Sequence, residues 1–342
     1  MKKKTAWVFL FLFWASGPQA QTPFYQGKTI TIVAPTKAGD LYDLYPRLLA
    51  EHMTKYIPGA PNIIVQNMPG AASLIAANHV YNVAKPDGLT LGSFYPALYL
   101  DQLAQRPEVK FDWVKWNWIG SPVKSNHLLY VRSDAPYKSM DDIRKAARPP
   151  KCGATGTTSS ANYLVKLFEE TLGTKFDIVT GYPAGVDIDL AVERGEVQCR
   201  AFTITSYFAR EPFISWSKRD FVRVLIQTGT RRDERLRDVP TIYELMDQYQ
   251  APDTQRRLAT ALLAAGDFGR PIAAAPGVPA DRLKILREAF DKAIKDPQLL
   301  ADAKKRKLEI DPTLSEDLAA LAKEVMAATP EVAEKVKQML GQ

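Results

Sequence analysis

Residues suited to metal or redox chemistry are scarce in this sequence of 342 residues. The three histidines, His52, His79 and His127, lie far apart and form no HExxH-like pair, whereas a zinc site needs several ligands at close spacing. The two cysteines, Cys152 and Cys199, fit neither a zinc motif nor a CxxC pair. We therefore expect no metal and no other cofactor.

Catalytic and nucleotide-binding motifs are missing as well. No segment matches GxxxxGK[ST], GATGTT at 153–158 departs from GxGxxG, and no serine lies in a GxSxG elbow. The acidic pairs Asp141-Asp142 and Glu169-Glu170 lie on helical patterns, where a solvated face is the default interpretation. Ser139 is the candidate N-cap of the helix that holds the first pair, and Asp296-Pro297 is expected to stop the helix ADRLKILREAFDKAIK. We find no set of residues suited to catalysis and expect a protein that is not an enzyme.

The first twenty residues have the pattern of a secretory leader. MKKK is a positive segment, TAWVFLFLFWASG is apolar, and PQA precedes a cleavage position after Ala20. The alternative is an uncleaved anchor, but the apolar stretch is shorter than the about 20 residues that span a bilayer. We expect residues 1–20 to be a cleaved signal peptide and the mature chain to be periplasmic.

The remaining chain carries only a weak excess of positive charge. Without the three lysines of the leader, the formal net charge falls from +7 to +4. The basic clusters at 231–237 and 304–307 are interleaved with acids or lie on helical patterns, which favours solvated faces over a nucleic-acid surface. We expect a monomer with no nucleic-acid partner.

A strand–helix–strand rhythm runs through the chain twice. TITIVA, NIIVQN and LTLGSF alternate with helical patterns in the first half, and HLLYVR, KCGA, FDIVTGY and VQCRAF do so in the second. This rhythm predicts an α/β fold with parallel sheets in two doubly wound lobes. We assign 28–120 plus 230–342 to the first lobe and 121–229 to the second. Crossings near 120–130 and 222–230 would form a hinge, and the aromatic run FDWVKWNWI would pack a connection.

Two strand–helix junctions are candidates for ligand binding, one in each lobe. They are Thr36–Asp40, after TITIVAP, and Thr155–Ser160, after KCGA. Ligands of open α/β sheets bind beyond the carboxyl ends of the strands, and helix N-termini offer free N–H groups that suit carboxylates and phosphates. A cleft between the lobes, lined by both junctions, is expected to hold a small acid. The alternative is that Ser159 or Ser160 only caps its helix.

Several segments in series resemble a known family. They are TITIVAP with GxxxDLYxRLLAEH, VQNMPGAASLIAANHVYNVAKPDGLTLG, GATGTTSSANYL, GYPAGVDIDLAVERGEVQ, DVPTIYEL and IAAAPGVPADRLKILREAFDKAIKDPQLLADAKK. The pattern is similar to the periplasmic solute receptors of tripartite tricarboxylate transporters, the TctC or Bug family, over nearly the whole mature chain. The resemblance implies a type II periplasmic binding protein fold with a hinge and an interlobe cleft. It also implies a small organic acid as ligand and a two-subunit inner-membrane permease as partner.

The resemblance also carries site residues across, position by position. The matched segments are the first loop, the PGA turn, the second-lobe loop and the segment after GYPAG. Tyr42 and Tyr95 would supply an apolar wall, and Phe202 and Thr203 at the end of the VQCRAF strand complete the set. The resulting candidates for ligand binding are Thr36, Lys37, Ala38, Gly39, Asp40, Tyr42, Gly70, Ala71, Ala72, Tyr95, Thr155, Gly156, Thr157, Thr158, Ser159, Ser160, Asp187, Phe202 and Thr203.

Two departures from the family pattern concern the site. Gly39-Asp40-Leu41 stands where family members commonly have successive glycines, and Gln198-Cys199-Arg200 replaces an acid followed by an apolar residue. Asp40 either caps the following helix by accepting a backbone N–H or contacts the ligand directly, where it would repel a carboxylate. We favour the cap. We expect one ligand carboxylate to be held mainly by Thr155–Ser160 and citrate to bind poorly.

Two further questions remain open at the level of sequence. Cys152 and Cys199 lie on strands that are neighbours in a doubly wound order, so they either form a disulfide or remain buried thiols. The receptor either feeds a transporter or presents its closed form to a signalling partner. A secreted hydrolase or lyase is the disfavoured third alternative, because no acid–base pair is found.

Overall fold

The structure is a computed structural model. It describes residues 22–155, 159–182 and 185–340, apart from the side chains of Ala72 and Leu340. The predicted leader and the predicted site residues Gly156, Thr157 and Thr158 lie outside these ranges.

Eleven strands in the described chain form two sheets. In chain order the strands are β1 Thr29–Ala34, β2 Asn62–Asn67, β3 Thr90–Ser93, β4 Asn117–Ser121, β5 His127–Arg132, β6 Lys151–Gly153, β7 Asp177–Val179, β8 Cys199–Thr203, β9 Val222–Gln227, β10 Ile272–Ala274 and β11 Thr313–Leu314. The six-stranded sheet belongs to the first lobe and the five-stranded sheet to the second.

Fourteen α-helices in the described residues cover these sheets. They are α1 Leu41–Met53, α2 Leu74–Asn82, α3 Leu98–Leu103, α4 Met140–Lys145, α5 Ser160–Leu172, α6 Gly185–Arg194, α7 Ile204–Ala209, α8 Phe213–Lys218, α9 Ile242–Gln248, α10 Asp253–Phe268, α11 Ala280–Ala293, α12 Pro297–Lys305, α13 Ser315–Met326 and α14 Pro330–Leu340. Short 3-10 turns lie at Thr54–Tyr56, Ala71–Ser73 and Trp113–Lys115. Within the described ranges, none of the helices combines the length and apolar character needed to cross a membrane.

The first sheet is mixed and has the order β11-β4-β10-β3-β1-β2. Strand β1 is parallel to β2 and β3, as the strand–helix–strand rhythm predicts. The prediction of a purely parallel sheet is wrong for β10, which runs antiparallel between β3 and β4. The reason is its direction of entry: β10 follows α10 and enters the sheet where β3 ends, because Ile272 pairs with Ser93.

The second sheet repeats this arrangement in the order β7-β6-β8-β5-β9. Strand β6 is parallel to β7 and β8, whereas β5 is antiparallel to β8 and β9. Strand β5 arrives from the first lobe and begins where β8 ends, with His127 opposite Thr203. Each lobe therefore contains one central strand that begins at the edge where the parallel strands finish.

The two cysteines lie side by side on neighbouring strands. Cys152 on β6 pairs directly with Cys199 on β8, their Cα atoms are 4.5 Å apart, and their sulfur atoms are bonded. The parallel pairing of the first and third strands of the lobe brings them together. Of the two alternatives, the structure has the disulfide.

Helix ends follow the signals in the sequence. The Ser139 hydroxyl accepts the Asp142 N–H at the start of α4, which confirms the predicted cap. Thr241 begins α9 with a complete capping box. Asp296 caps α12, whose first residue is Pro297, so the preceding helix stops where it was expected to. Each such cap contributes about 1 kcal/mol.

The cores of the two lobes are continuous. The aromatic run at 111–119 is buried as predicted, with the Trp113 and Trp118 rings 4.9 Å apart. The same cluster continues through Phe268 of α10 to Phe168 of α5 in the second lobe. Helices α10 and α14 both contact α5, so the C-terminal helices touch both lobes. The exact limits of the two lobes stay a prediction.

The first crossing between lobes, residues 122–126, packs tightly against the end of α10. Ser125 N–H donates to the Gly266 carbonyl over 2.7 Å. A Cβ on Gly269 would lie 1.8 Å from the Val123 carbonyl oxygen, and Gly269 also has a positive φ of 61°. Only glycine fits there. The second connection leaves β9 at Gln227 and passes through α9 and α10 before it enters β10.

Candidate functional site

Asp40 is the N-cap of α1. Its Oδ1 accepts the Tyr42 backbone N–H over 2.9 Å, which confirms the cap that we favoured. Gly39 has a φ of 89°, so the chain turns through a conformation that glycine tolerates best. Lys37 and Ala38 are exposed, as is Asp40 itself. This answers how Asp40 is used in the fold; whether it also contacts a ligand stays a prediction.

A second carboxylate, that of Asp43, holds the backbone of the first junction in place. The sequence did not reveal this role. Asp43 is buried, accepts the Gly39 N–H over 2.8 Å, and receives hydrogen bonds from Arg47 and from Asn67. Burial alone would raise the pKa of Asp43, but these hydrogen bonds outweigh it and lower the pKa. The Asn67 amide also donates to the Thr36 carbonyl. The Gly39 N–H therefore already has a hydrogen-bond acceptor within the protein, the Asp43 carboxylate.

Tyr42 and Tyr95 form the predicted aromatic pair beside this junction. Their ring centroids are 4.6 Å apart, and the Tyr42 hydroxyl donates to the Gly269 carbonyl over 3.4 Å. Burial raises the pKa of Tyr42 far above its ordinary value, so its hydroxyl stays protonated. The buried Thr36 Oγ1 has no hydrogen-bond partner among the described residues.

The PGA turn leads into a short segment that hydrogen-bonds the backbone of Tyr95. Gly70 has a φ of 143°, and a Cβ there would lie 2.4 Å from Ile75 Cδ1. Ala71 opens the 3-10 turn that follows. The buried Ser73 hydroxyl accepts the Tyr95 N–H over 3.2 Å. The turn thus positions the aromatic pair, while Ala72 has no described side chain.

The second junction begins α5. Thr155 is exposed, Ser159 takes the N-cap position, and Ser160 is the first helical residue. The Ser159 carbonyl accepts the backbone N–H groups of Asn162 and Tyr163. The prediction that this loop holds a carboxylate is not tested, because Gly156, Thr157 and Thr158 lie outside the described ranges.

Arg200 holds the start of α6, the third predicted segment. Its guanidinium pairs with the buried Asp189 at 2.5 Å and donates to the Gly185 carbonyl at 2.9 Å. The Tyr130 hydroxyl donates to the same carboxylate over 3.0 Å, and the Phe202 ring lies 4.3 Å from the guanidinium. The positive charge of Arg200, the residue that departs from the family pattern, is therefore balanced by the Asp189 carboxylate. Asp187, in the first turn of α6, and Thr203, at the end of β8, are half-buried.

Helices α1 and α5, which follow the two junctions, both meet α10. The Tyr42 hydroxyl, in the first turn of α1, donates to the Gly269 carbonyl at the end of α10, and α10 contacts α5. Tyr163, in the first turn of α5, contributes to raising the pKa of Tyr42. Beside them the lobes are linked by Glu309, which accepts from Thr205 over 2.6 Å and pairs with Arg235. Helices α1 and α5 are therefore both joined to the helix that touches both lobes.

A cavity of about 560 Å³ opens between the lobes beside the crossings. Its walls include Val123 from the first crossing, Asp311 from the first lobe, Thr205 from the second, and Arg231 and Arg235 from the second connection. None of the predicted site residues that the structure describes lines it. It is a separate opening near the hinge, with charges of both signs.

Arg270 lies at the edge of the first sheet where β3 ends, and no pattern in the sequence singled it out. It precedes β10, where its N–H donates to the Ser121 hydroxyl over 2.9 Å. The residue is 9% exposed, and the guanidinium carbon lies 5.3 Å from the Tyr42 ring and 5.0 Å from the Tyr45 ring. No described carboxylate pairs with it. In the sequence it is a single arginine in FGRPIAAAP, without a motif.

His127 begins β5, the central antiparallel strand of the second lobe, and so has a position similar to that of Arg270 just before β10. Burial lowers its pKa to about 4, so the imidazole is neutral at physiological pH. Its backbone N–H donates to the Thr228 hydroxyl over 2.9 Å.

One described group brings three potential metal-ligand atoms within 4.8 Å, namely Glu51, His52 and Asp302. This group lies at the far end of α1 from Asp40. His52 already hydrogen-bonds Asp302 over 3.0 Å, and Glu51 pairs with Arg306. The pairing accounts for the cluster without an ion.

Comparisons with known proteins agree with this architecture. A crystal structure of a TctC solute binding protein from Polaromonas, without ligand, superimposes with a TM-score of 0.73 at 19% identity, covering 93% of this chain and 99% of that one. The structure of R. palustris Rpa4515 with adipate gives a TM-score of 0.59 at 18% identity, covering 92% and 98%. The expected type II periplasmic binding protein fold with two lobes is confirmed.

Sequence comparison leads to the same family. The UPF0065 protein in the TAR-I ttuE-ttuC' intergenic region of Agrobacterium vitis is 28% identical over 287 residues, which are 81% of this chain and 74% of that protein. The family model described as "Tripartite tricarboxylate transporter family receptor" matches residues 46–337. The chain therefore belongs to the TctC family of tripartite tricarboxylate transporter receptors.

Proposed function

We propose that this chain captures a small organic acid between its lobes and delivers it to a two-subunit inner-membrane permease, without changing the ligand chemically. Receptors of this family are periplasmic solute-binding proteins that work with transporters. One relative of the same fold was crystallised with adipate. We further propose that residues 1–20 are cleaved on export and that the mature receptor is a monomer.

The observation that carries the proposal is that the helices following the two junctions both meet α10. The N-cap of α1 is Asp40 and that of α5 is Ser159, on opposite lobes; the Tyr42 hydroxyl donates to the Gly269 carbonyl at the end of α10, and α10 also contacts α5. Helix N-termini favour anions, and the aromatic pair Tyr42–Tyr95 offers an apolar wall for the body of a ligand. A small carboxylic acid fits both features.

A thermal-shift screen tests this proposal. The mature protein, purified from periplasm, is screened against mono-, di- and tricarboxylates, aromatic acids, amino acids and sugars. An acid at one hundred times its dissociation constant should add about 2.7 kcal/mol of stability. Recovery of the bound acid unchanged by mass spectrometry would support a receptor that is not an enzyme. Stabilisation by sugars alone, or by none of these compounds, would overturn the proposal.

Closure and transport need separate measurements. Small-angle scattering should show a smaller radius of gyration when the best acid saturates the protein, because hinged lobes close over a ligand. Deletion of the receptor should abolish uptake of that acid by whole cells. Normal uptake together with loss of a transcriptional response to the acid would favour the signalling alternative instead.

A further inference from the structure

We propose that Arg270 is the ion-pair partner of a second anionic group on the ligand, so that the receptor prefers dicarboxylates to monocarboxylates of equal length. The proposal rests on the proposed function, because it assigns a residue to the same interlobe site. Arg270 would hold this second group in the first lobe.

The first argument is that Arg270 is a buried charge without a counter-charge. Arg270 is 9% exposed, and among the described residues its Nε has no hydrogen-bond partner and no carboxylate forms an ion pair with it. Burying an unpaired guanidinium is costly. The other arginine that is buried in the described chain, Arg200, is paired with Asp189. The contrast indicates that the partner of Arg270 comes from outside the chain.

The second argument is position. Arg270 directly precedes the short Pro271 link into β10, and β10 begins where β3 ends, since Ile272 pairs with Ser93. Tyr95 follows two residues after Ser93. Arg270 therefore lies at the carboxyl edge of the first sheet, where α/β folds bind ligands.

The third argument is the chemistry of its neighbours. The Tyr42 ring, 5.3 Å from the guanidinium carbon, connects Arg270 to Tyr95 and, through electrostatic contact, to Tyr163 of the opposite lobe. These rings can lie along the apolar body of a ligand whose ends are charged. An arginine at one end offers the planar, bidentate donors that carboxylates accept.

Matched acids provide the test. Adipate and hexanoate have the same chain length and differ by one carboxylate, so the ratio of their affinities measures recognition of the second charge. Titration calorimetry of the wild-type mature protein should give adipate at least tenfold tighter binding. In Arg270→Met the ratio should fall to about one or below. Arg287→Met is the control, because it removes a positive charge of the same lobe that bonds the Trp118 carbonyl instead, and it should keep the wild-type ratio.

Structural and binding roles give different results. If Arg270 only packs on Tyr42 and Tyr45, then Arg270→Met should lower the melting temperature of the ligand-free protein and weaken both acids equally, which would overturn the proposal. A ligand partner predicts an unchanged or higher melting temperature without ligand. Should Arg270→Met bind neither acid, Arg270→Lys decides: a retained preference for adipate supports the proposal, and a lost preference overturns it.

Failure of the proposal can be told apart from failure of the proposed function. Dicarboxylates from four to eight carbons are tested if adipate does not bind. Wild-type protein that binds monocarboxylates but none of these dicarboxylates overturns the role of Arg270 and leaves the receptor function standing. Wild-type protein that binds no carboxylic acid overturns both.

Discussion

Replacing Asp189 with alanine should destabilise the second lobe strongly. Asp189 and Arg200 are each less than 10% exposed, and they pair at 2.5 Å. The carboxylate also accepts the Tyr130 hydroxyl, and the guanidinium donates to the Gly185 carbonyl at the start of α6. Loss of the carboxylate leaves a buried cation with one carbonyl as its remaining described hydrogen-bond partner.

The expected magnitude follows from this geometry. Removing one partner of a buried ion pair costs about 3–5 kcal/mol, whereas replacing both by apolar residues of similar volume is often neutral or stabilising. Arg200 fits the costly case, since its Nε already lacks a partner. We expect Asp189→Ala to lose about 3–5 kcal/mol of unfolding free energy and Asp189→Leu with Arg200→Met to recover most of it. Tyr130→Phe, which removes one hydrogen bond, should cost about 1 kcal/mol.

Urea unfolding followed by circular dichroism measures these differences. The control is Glu196→Ala, because Glu196 and Arg194 form an exposed pair 3.7 Å apart just after α6, and exposed pairs contribute less than about 1 kcal/mol. A loss of under 1 kcal/mol for Asp189→Ala, or a double variant no more stable than the single one, would refute this account of Arg200.

Three further predictions concern single features. The disulfide closes a loop of 47 residues, so replacing Cys152 and Cys199 with serine should cost about 4 kcal/mol in the chain-entropy model; a change below 1 kcal/mol in urea would contradict this. The pKa of His127, lowered to about 4 by burial, lies below the unfolded value of about 6.5. Only the unfolded state takes up the proton between these values, so stability should fall as pH drops from about 6.5 to about 4, and this slope should flatten in His127→Gln but not in His79→Gln. Asp40→Gly removes the cap at a cost of a few tenths of a kcal/mol together with the charge near Tyr95, so adipate should bind more tightly; equal calorimetric affinities would place Asp40 beyond reach of the ligand.

Features that depend on near neighbours in the chain could be predicted from sequence. The caps at Asp40 and Ser139 were predicted because a cap needs only one side chain and the following turn. The alternation of strands and helices was read from apolar periodicity, which is also local. The proximity of Cys152 and Cys199 followed once the strand order was assumed, whereas the choice between a disulfide and buried thiols stayed open until the structure showed the bond.

Features that depend on where the chain returns could not be predicted in the same way. The antiparallel direction of β10 is set by α10 crossing from one lobe to the other, and no pattern in IAA encodes it. Arg270 meets Tyr42 across 228 positions of sequence. Asp43 was not identified from the sequence, because its role depends on Asn67 arriving from β2.

The two departures from the family pattern therefore have a different meaning from the one that sequence alone suggested. Asp40 and Arg200 both appeared to alter the ligand site, yet each has a protein partner: the Tyr42 N–H for one and Asp189 for the other. The charge of Arg200 is balanced by Asp189 within the fold, so it gives little information about a ligand. Arg270 attracted no attention in the sequence and has no such counter-charge among the described residues. The unbalanced charge, rather than the unusual residue, is the better guide to what the cleft binds.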